Sequence, residues 1–126
     1  MRIREARILL DHKEWSGAYY LAGYAVECGL KVCIAREFRQ YCMPDLQLVK
    51  DGHTHDLAKL VNLADLKGAL AVQESSDPAF AANWSIVKDW NESSRNRVWN
   101  ESEARNLYKA ISQRGHGVLP WVRRNW

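Results

Sequence analysis

The sequence lacks any stretch long enough and apolar enough to predict a membrane helix. Its charge-free segment 16–26 ends at Glu27, well short of the roughly 20 apolar residues that a span needs. The first residues alternate charged and apolar side chains and lack the apolar core and small-residue cleavage site of a signal peptide. We therefore expect a cytoplasmic protein with no membrane partner.

Disulfide bonds and β-strands are also not indicated. There are three cysteines, Cys28, Cys33 and Cys42, an odd number. Cys28 and Cys33 would point about 140° apart on a helix, so they are expected to be buried thiols in a reducing compartment. No segment alternates apolar and polar residues cleanly, and no internal repeat occurs. These absences favour an all-α fold.

The sequence offers few of the patterns that define an enzyme or a metal site. It has no glycine-rich phosphate loop, no Ser-His-Asp arrangement and no paired-carboxylate metal motif. His53 and His55, with Cys42 nearby, suggest zinc, but a single His-x-His without a second matched pair is weak evidence. We expect no metal and no cofactor.

Composition is typical of a globular protein of 126 residues, with 47% hydrophobic and 26% charged residues. This length predicts a single domain, 1–126, folded as an antiparallel bundle of four to six helices. The net charge of +3 is too small to identify a nucleic-acid partner. Arginines concentrate in the last third of the chain, which fits either such a partner or solvated helix faces.

The bundle is expected to form around one long helix from Ser16, as N-cap, to about Gln40. Apolar residues cover most of its circumference, so other helices, and in part a partner subunit, should cover it. One polar stripe runs along this helix, at 100° per residue: Tyr20, Tyr24, Glu27 and Lys31. The tyrosine hydroxyls are expected to point toward the two charged groups.

Shorter helices are predicted on both sides of this segment. One covers 2–13, with Trp15 as an anchor at the junction. Another begins near His55, capped by Thr54 or Asp56. A short segment follows near 66–72. Pro78 suits the first position of the next helix, whose aromatic-rich face at helical spacing is expected to run from Phe80 to Trp90. The final long helix runs from Ser102 to about Gln113, before a tail that is helical or simply docked.

Five segments match a known pattern: 18–31 (AYYLAGYAVECGLK), 55–57 (HDL), 83–84, 90–95 (WNESSR) and 104–111. Together they resemble the HEPN family of small helical-bundle domains, found in prokaryotes and in some eukaryotic proteins. The resemblance implies a bundle of four or more helices, commonly dimeric and often encoded beside a minimal nucleotidyltransferase. It also implies binding of nucleotides or RNA, and many members are metal-independent ribonuclease toxins.

The ribonuclease members carry an arginine followed after four to six residues by a histidine, and this sequence departs from that pattern. At those distances Arg95 is followed by Asn100, Glu101 and Ser102, and no histidine occurs between His55 and His116. Asparagine cannot transfer a proton near neutral pH as histidine can. The catalytic residues are therefore left unassigned, with Arg95 and Glu27 as weak candidates.

Five residues are predicted to form a nucleotide- or RNA-binding cleft: Glu27, Lys31, Arg95, Arg97 and His55. Glu27 is either an ordinary helix-surface partner of Lys31 or a buried carboxylate paired with an arginine of the late segment, Arg95 first. Arg97, like Arg95, lies between two tryptophans. The pair either contacts phosphate beside a stacked base or covers core indoles with its side-chain stems.

Three functions remain open at this point. The leading hypothesis is a HEPN-like domain without the Arg-x4-6-His motif, which binds a nucleotide or RNA as the homodimeric partner of a nucleotidyltransferase or in a toxin–antitoxin type system. The second is a divergent metal-independent endoribonuclease. The third is a purely structural dimeric interaction module.

Overall fold

The computed structural model describes residues 2–41 and 55–126, with side chains up to residue 36 in the first range. These residues form seven α-helices and one 3₁₀ helix and contain no strand, which confirms the all-α prediction. In chain order they are α1 (Arg2–Asp11), α2 (Trp15–Tyr41), α3 (Leu57–Leu63), α4 (Lys67–Ser76), α5 (Pro78–Val87), the 3₁₀ helix (Glu92–Asn96), α6 (Glu101–Ser112) and α7 (Val118–Arg124). The count exceeds the four to six expected because the short predicted segments form separate helices.

Helix α2 is the centre of the bundle, as its sequence predicts. It packs against α1, α3, α6, α7 and the 3₁₀ helix. Ala25, Val26 and Glu27, three consecutive residues that point about 100° apart on this helix, are each at most 7% exposed. Because side chains on several faces of α2 are covered, the other helices surround it rather than form a layer on one side.

Side-chain caps fix where two of the shorter helices begin. The Asp56 carboxylate accepts a hydrogen bond from the Lys59 backbone N–H at 3.1 Å, which makes it the N-cap of α3. Pro78 occupies the first turn of α5 as predicted, behind Asp77, whose carboxylate accepts from the Phe80 N–H. Thr54, the alternative cap, lies outside the described residues.

The predicted start of α2 and the predicted end of α5 are wrong by a few residues. Helix α2 begins at Trp15, and the Ser16 hydroxyl accepts a hydrogen bond from the Trp99 backbone N–H at 2.9 Å instead of capping its own helix. Helix α5 ends at Val87, so Trp90 follows it rather than continuing its aromatic face. Trp90 is nevertheless 1% exposed and belongs to the core.

Within the two described ranges, no helix combines the length and the hydropathy that crossing a membrane requires.

A hydrogen bond between His116 and Asp77 ties the loop before α7 to the start of α5. The His116 Nδ1 atom lies 2.6 Å from the Asp77 carboxylate, and the Asn83 amide donates to the His116 carbonyl oxygen at 2.9 Å. The hydrogen bond from His116 lowers the pKa of Asp77. Since a lowered carboxyl pKa stabilises the fold when the group is ionised, this contribution is present above the ordinary pKa of Asp77 and disappears as the pH falls through the lowered value.

Replacing His116 by glutamine is therefore expected to lower stability near pH 5, where Asp77 is ionised in both proteins. The difference between wild type and H116Q should shrink to nothing as Asp77 becomes protonated at lower pH. Urea unfolding at a series of pH values between about 5 and 2 measures this difference. A difference that stays constant over that range contradicts the assigned contact.

Candidate functional site

Glu27 is a buried carboxylate in the middle of α2. Its side chain is 2% exposed, and its two oxygens have separate partners. Oε2 accepts from the Lys31 ammonium at 3.2 Å, one turn further along the same helix. Oε1 lies 2.8 Å from Nδ1 of His55, just before α3. A carboxylate this buried must be paired to remain charged, and both of its oxygens are.

His55 is held between two carboxylates. Its Nδ1 faces Glu27, and its Nε2 lies 3.1 Å from Oε2 of Glu92 at the start of the 3₁₀ helix. Ionised carboxylates only accept hydrogen bonds, and an imidazole donates from both nitrogens only when it is protonated. The protonated ring therefore completes both contacts. The side chain of His55 is 38% exposed, so a ligand in solvent can reach it.

Glu92 links His55 to Arg95. Its other oxygen, Oε1, lies 3.8 Å from an Arg95 guanidinium nitrogen. The 3₁₀ helix that carries both residues is anchored by Asn91, whose side chain accepts from the Ser93 N–H while the Asn91 N–H donates to Ser94. We call the five linked side chains the polar cluster: Lys31, Glu27, His55, Glu92 and Arg95.

The polar cluster contains four of the five predicted site residues, but it differs from the prediction in one contact. A direct contact between Glu27 and Arg95, one of the two alternatives for this carboxylate, is not among the described contacts, and His55 lies next to Oε1 instead. Arg95 joins through Glu92, which the sequence analysis did not select. The sequence does contain one indication of this contact: Glu92 lies three residues before Arg95, in a polar segment that follows a tryptophan.

Arg97 lies outside the polar cluster. Its guanidinium carbon is 4.2 Å from the ring centroid of Trp99, and one of its nitrogens lies 3.5 Å from Glu103 on α6. The other face of the Trp99 ring stacks on Tyr19 of α2, with centroids 3.7 Å apart and planes 10° apart. The predicted cleft residues therefore separate into a polar cluster and a neighbouring aromatic stack.

The two tyrosines of the predicted stripe, Tyr20 and Tyr24, lie side by side on α2. Tyr24 lies beneath Arg2, whose guanidinium carbon is 5.5 Å from its ring centroid. The neighbouring Cys28 thiol, through its charge and a hydrogen bond, raises the pKa of Tyr24. Cys28 lies one turn from Tyr24 on the same side of α2, and the expectation that the tyrosine hydroxyls point to Glu27 and Lys31 stays a prediction. Tyr20 packs against Tyr24 and against Trp90.

Trp90 forms the buried wall next to the polar cluster. Its indole lies flat against Gly23 of α2, one turn before Glu27: a Cβ added to Gly23 would overlap its Cδ2, Cε2 and Nε1 atoms. Among the described residues no group accepts a hydrogen bond from the buried Nε1. The close approach of the indole to the helix backbone thus depends on glycine at position 23.

Two of the weakly indicated zinc ligands, His53 and Cys42, lie outside the described residues. Across residues 2–41 and 55–126, no cluster of three His, Cys, Asp or Glu side chains is arranged to hold a metal ion. His55, the remaining member of that set, faces Glu27 and Glu92.

An apolar groove of about 370 Å³ lies on the other side of α2 from Glu27. Cys28, Gly29 and Val32 of α2 line it together with Leu119 of α7 and Trp126. Val32 is 43% exposed and Trp126 is 47% exposed. The molecule thus presents a polar cluster on one side of its central helix and an apolar groove on the other.

Fold and site together define the class of protein as an α-helical bundle in which a histidine lies between two carboxylates, one of them Glu27 of the central helix. Comparison with protein-family models, curated proteins and solved structures gives no match to this chain.

Proposed function

We propose that this chain is a HEPN-like domain that binds the phosphate of a nucleotide or RNA at the polar cluster. In the proposal it works as a homodimer, either as the partner of a nucleotidyltransferase or in a toxin–antitoxin type system. The ligand part is supported by the cluster geometry. The partner part follows from the resemblance of segments 18–31 and 90–95 to HEPN domains.

The observation that carries the ligand proposal is the position of Glu92. Its carboxylate bridges the exposed nitrogen of His55 and the guanidinium of Arg95. A phosphate oxygen accepts the same charge-assisted hydrogen bonds and favours the same two donors. Glu92 is 40% exposed, whereas Glu27 is 2% exposed. Glu92 can therefore turn into solvent and leave its place to a ligand phosphate, while Glu27 continues to hold His55.

The charges of the cluster agree with an anionic ligand. With Glu92 displaced, the cluster keeps two permanent cations, Lys31 and Arg95, beside His55 and one buried carboxylate, Glu27. Lys31 is 36% exposed and Arg95 is 59% exposed, so solvent reaches both cations. This arrangement suits one phosphate group better than a neutral ligand.

Isothermal titration with adenosine monophosphate and with a short single-stranded RNA tests this proposal. Arg95→Gln is expected to weaken binding about tenfold or more, since a hydrogen bond to a charged group contributes about 1.5–3 kcal/mol. Glu92→Gln is expected to strengthen binding, because it removes the competing charge. Arg105→Gln is a matched control, since Arg105 is also exposed and also pairs with a glutamate. Absence of binding by the wild type contradicts the proposal.

Ribonuclease activity is a second candidate because the fold brings together an arginine and a histidine that the sequence keeps apart. His55 and Arg95 contact the same carboxylate, although they lie on different elements and in the reverse order of the family motif. In such a reaction the 2′-oxygen bonds to phosphorus and gives up its proton, while the bond to the 5′-oxygen breaks and that oxygen gains one. His55 is placed to transfer one of these protons. Cleavage of labelled RNA by wild type but not by His55→Gln or Arg95→Gln identifies it.

A further inference from the structure

The aromatic stack beside the polar cluster has three layers: the Tyr19 ring, the Trp99 indole and the Arg97 guanidinium. Tyr19 and the Arg97 guanidinium both lie within about 4 Å of the Trp99 ring, so they occupy opposite faces of it. Tyr19 is 8% exposed and belongs to the core. Arg97 is 66% exposed. The inner face of the indole is therefore fixed by the core, and among the described residues a surface arginine, Arg97, covers its outer face.

Hydrogen bonds hold the Trp99 ring in place without help from Arg97. The indole Nε1 donates to the carbonyl oxygen of Ser94 at 2.7 Å, and the Trp99 backbone N–H donates to the hydroxyl of Ser16. Ser94 is the residue before Arg95 in the 3₁₀ helix. The edge of the indole thus contacts the same element that carries Glu92 and Arg95 of the polar cluster.

The cover over Trp99 is weakly held. Arg97 pairs with Glu103 at 3.5 Å, in a contact where both side chains reach solvent. An exposed ion pair of this kind contributes little to stability, and a guanidinium stacked on an exposed ring adds about 0.5–1 kcal/mol. A nucleic-acid base stacks on an aromatic ring more strongly than that, and it does so whatever the sequence.

We propose that Trp99 and Arg97 form a base-stacking subsite for single-stranded RNA, next to the phosphate site of the polar cluster. An unpaired base replaces the Arg97 guanidinium on the outer face of Trp99. The released guanidinium then pairs with a phosphate of the same strand, for which its bidentate geometry is suited. This inference rests on the proposed function, because the polar cluster supplies the neighbouring phosphate contact.

The spacing of the two subsites favours an oligonucleotide over a mononucleotide. Tyr19 beneath the stack and Glu27 in the cluster are eight residues apart on α2, which corresponds to about 12 Å along the helix axis. Both subsites contact the short segment 92–99. A ligand that uses both must therefore extend along this segment, as a strand with several phosphates does.

The test compares the affinities of Trp99 variants for a short single-stranded RNA and for inorganic phosphate. Trp99→Leu is expected to weaken RNA binding about tenfold, from the loss of one stacked base, and to leave phosphate binding unchanged. Arg97→Gln should weaken RNA binding several-fold, because the strand loses a guanidinium contact to one of its phosphates. Arg105→Gln is the matched control, since Arg105 also lies over a tryptophan, 5.2 Å from the ring of Trp15, and also pairs with a glutamate of α6.

A second measurement uses only the wild-type protein, so its result does not depend on whether a variant folds. A ribose-phosphate strand without bases should bind the wild-type protein about tenfold more weakly than RNA of the same length. Equal affinity for the two strands, or RNA affinity of folded Trp99→Leu equal to that of the wild type, overturns the stacking subsite. If Arg95→Gln still weakens binding in that case, the proposed function stands. No binding of RNA or phosphate by the wild type overturns both.

Discussion

Replacing Gly23 by alanine is expected to destabilise the protein by about 3 kcal/mol, at the upper end of the usual cost of overpacking. The added Cβ would overlap three atoms of the Trp90 indole. That ring cannot easily move aside, because it is 1% exposed and packs against Tyr20. Thermal or urea unfolding followed by circular dichroism measures the loss.

Gly68→Ala is the matched control for this change. Gly68 also lies in a helix, α4, but no atom is within 4 Å of the position its Cβ would take. Alanine there should be neutral or stabilising by about 0.5–1 kcal/mol, because it restricts the unfolded chain and favours the helix. If both variants were equally stable, the indole of Trp90 would not lie against α2 as the structure describes.

Replacing Glu27 by glutamine is expected to lower the stability of the protein by about 2 kcal/mol. Both carboxylate oxygens of Glu27 have basic partners, the Lys31 ammonium and the His55 imidazole. Glutamine offers one acceptor and places its NH₂ group against the other donor, so one contact is lost and a buried donor is left without an acceptor. The partners reach solvent, which keeps the loss below that of a fully buried pair.

Glu101→Gln is the control for this second prediction, since Glu101 also pairs with a basic residue four positions further along its helix. The Glu101–Arg105 pair lies at the surface, with both side chains more than half exposed. Its loss should change stability by no more than about 0.5 kcal/mol. Urea unfolding of both variants compares them directly, and equal effects would mean that burial gives the Glu27 contacts no special weight.

Local sequence signals predicted much of the fold. The proline at position 78, the acidic cap at Asp56 and the apolar circumference of α2 each act within a few residues of their effect, and each is confirmed. Helix ends were predicted less well where a distant segment competes for the capping group. Ser16 has the residue type of an N-cap, but its hydroxyl binds Trp99, 83 residues away.

The sequence identified most residues of the polar cluster but only some of the contacts between them. Glu27 could be predicted as a site residue because a lone carboxylate in an apolar helix must find a partner. Its i,i+4 contact with Lys31 follows from helix geometry, and it forms. The contact with His55 joins residues 28 positions apart, and Glu92 reaches His55 from another element. No local pattern encodes such distances, so the bridging role of Glu92 required the structure. The ligand role of these residues stays a prediction.

The central position of α2 also has a consequence for synthesis on the ribosome. This helix emerges directly after α1, whereas two of the helices that cover it, α6 and α7, lie at 101–124. During translation the sides of α2 that α6 and α7 cover are therefore exposed until residues 101–124 have been made. Nascent chains with such uncovered surface are prone to aggregation and are typical clients of chaperones. The order of the helices along the chain thus delays closure of the core until α6 and α7 have emerged.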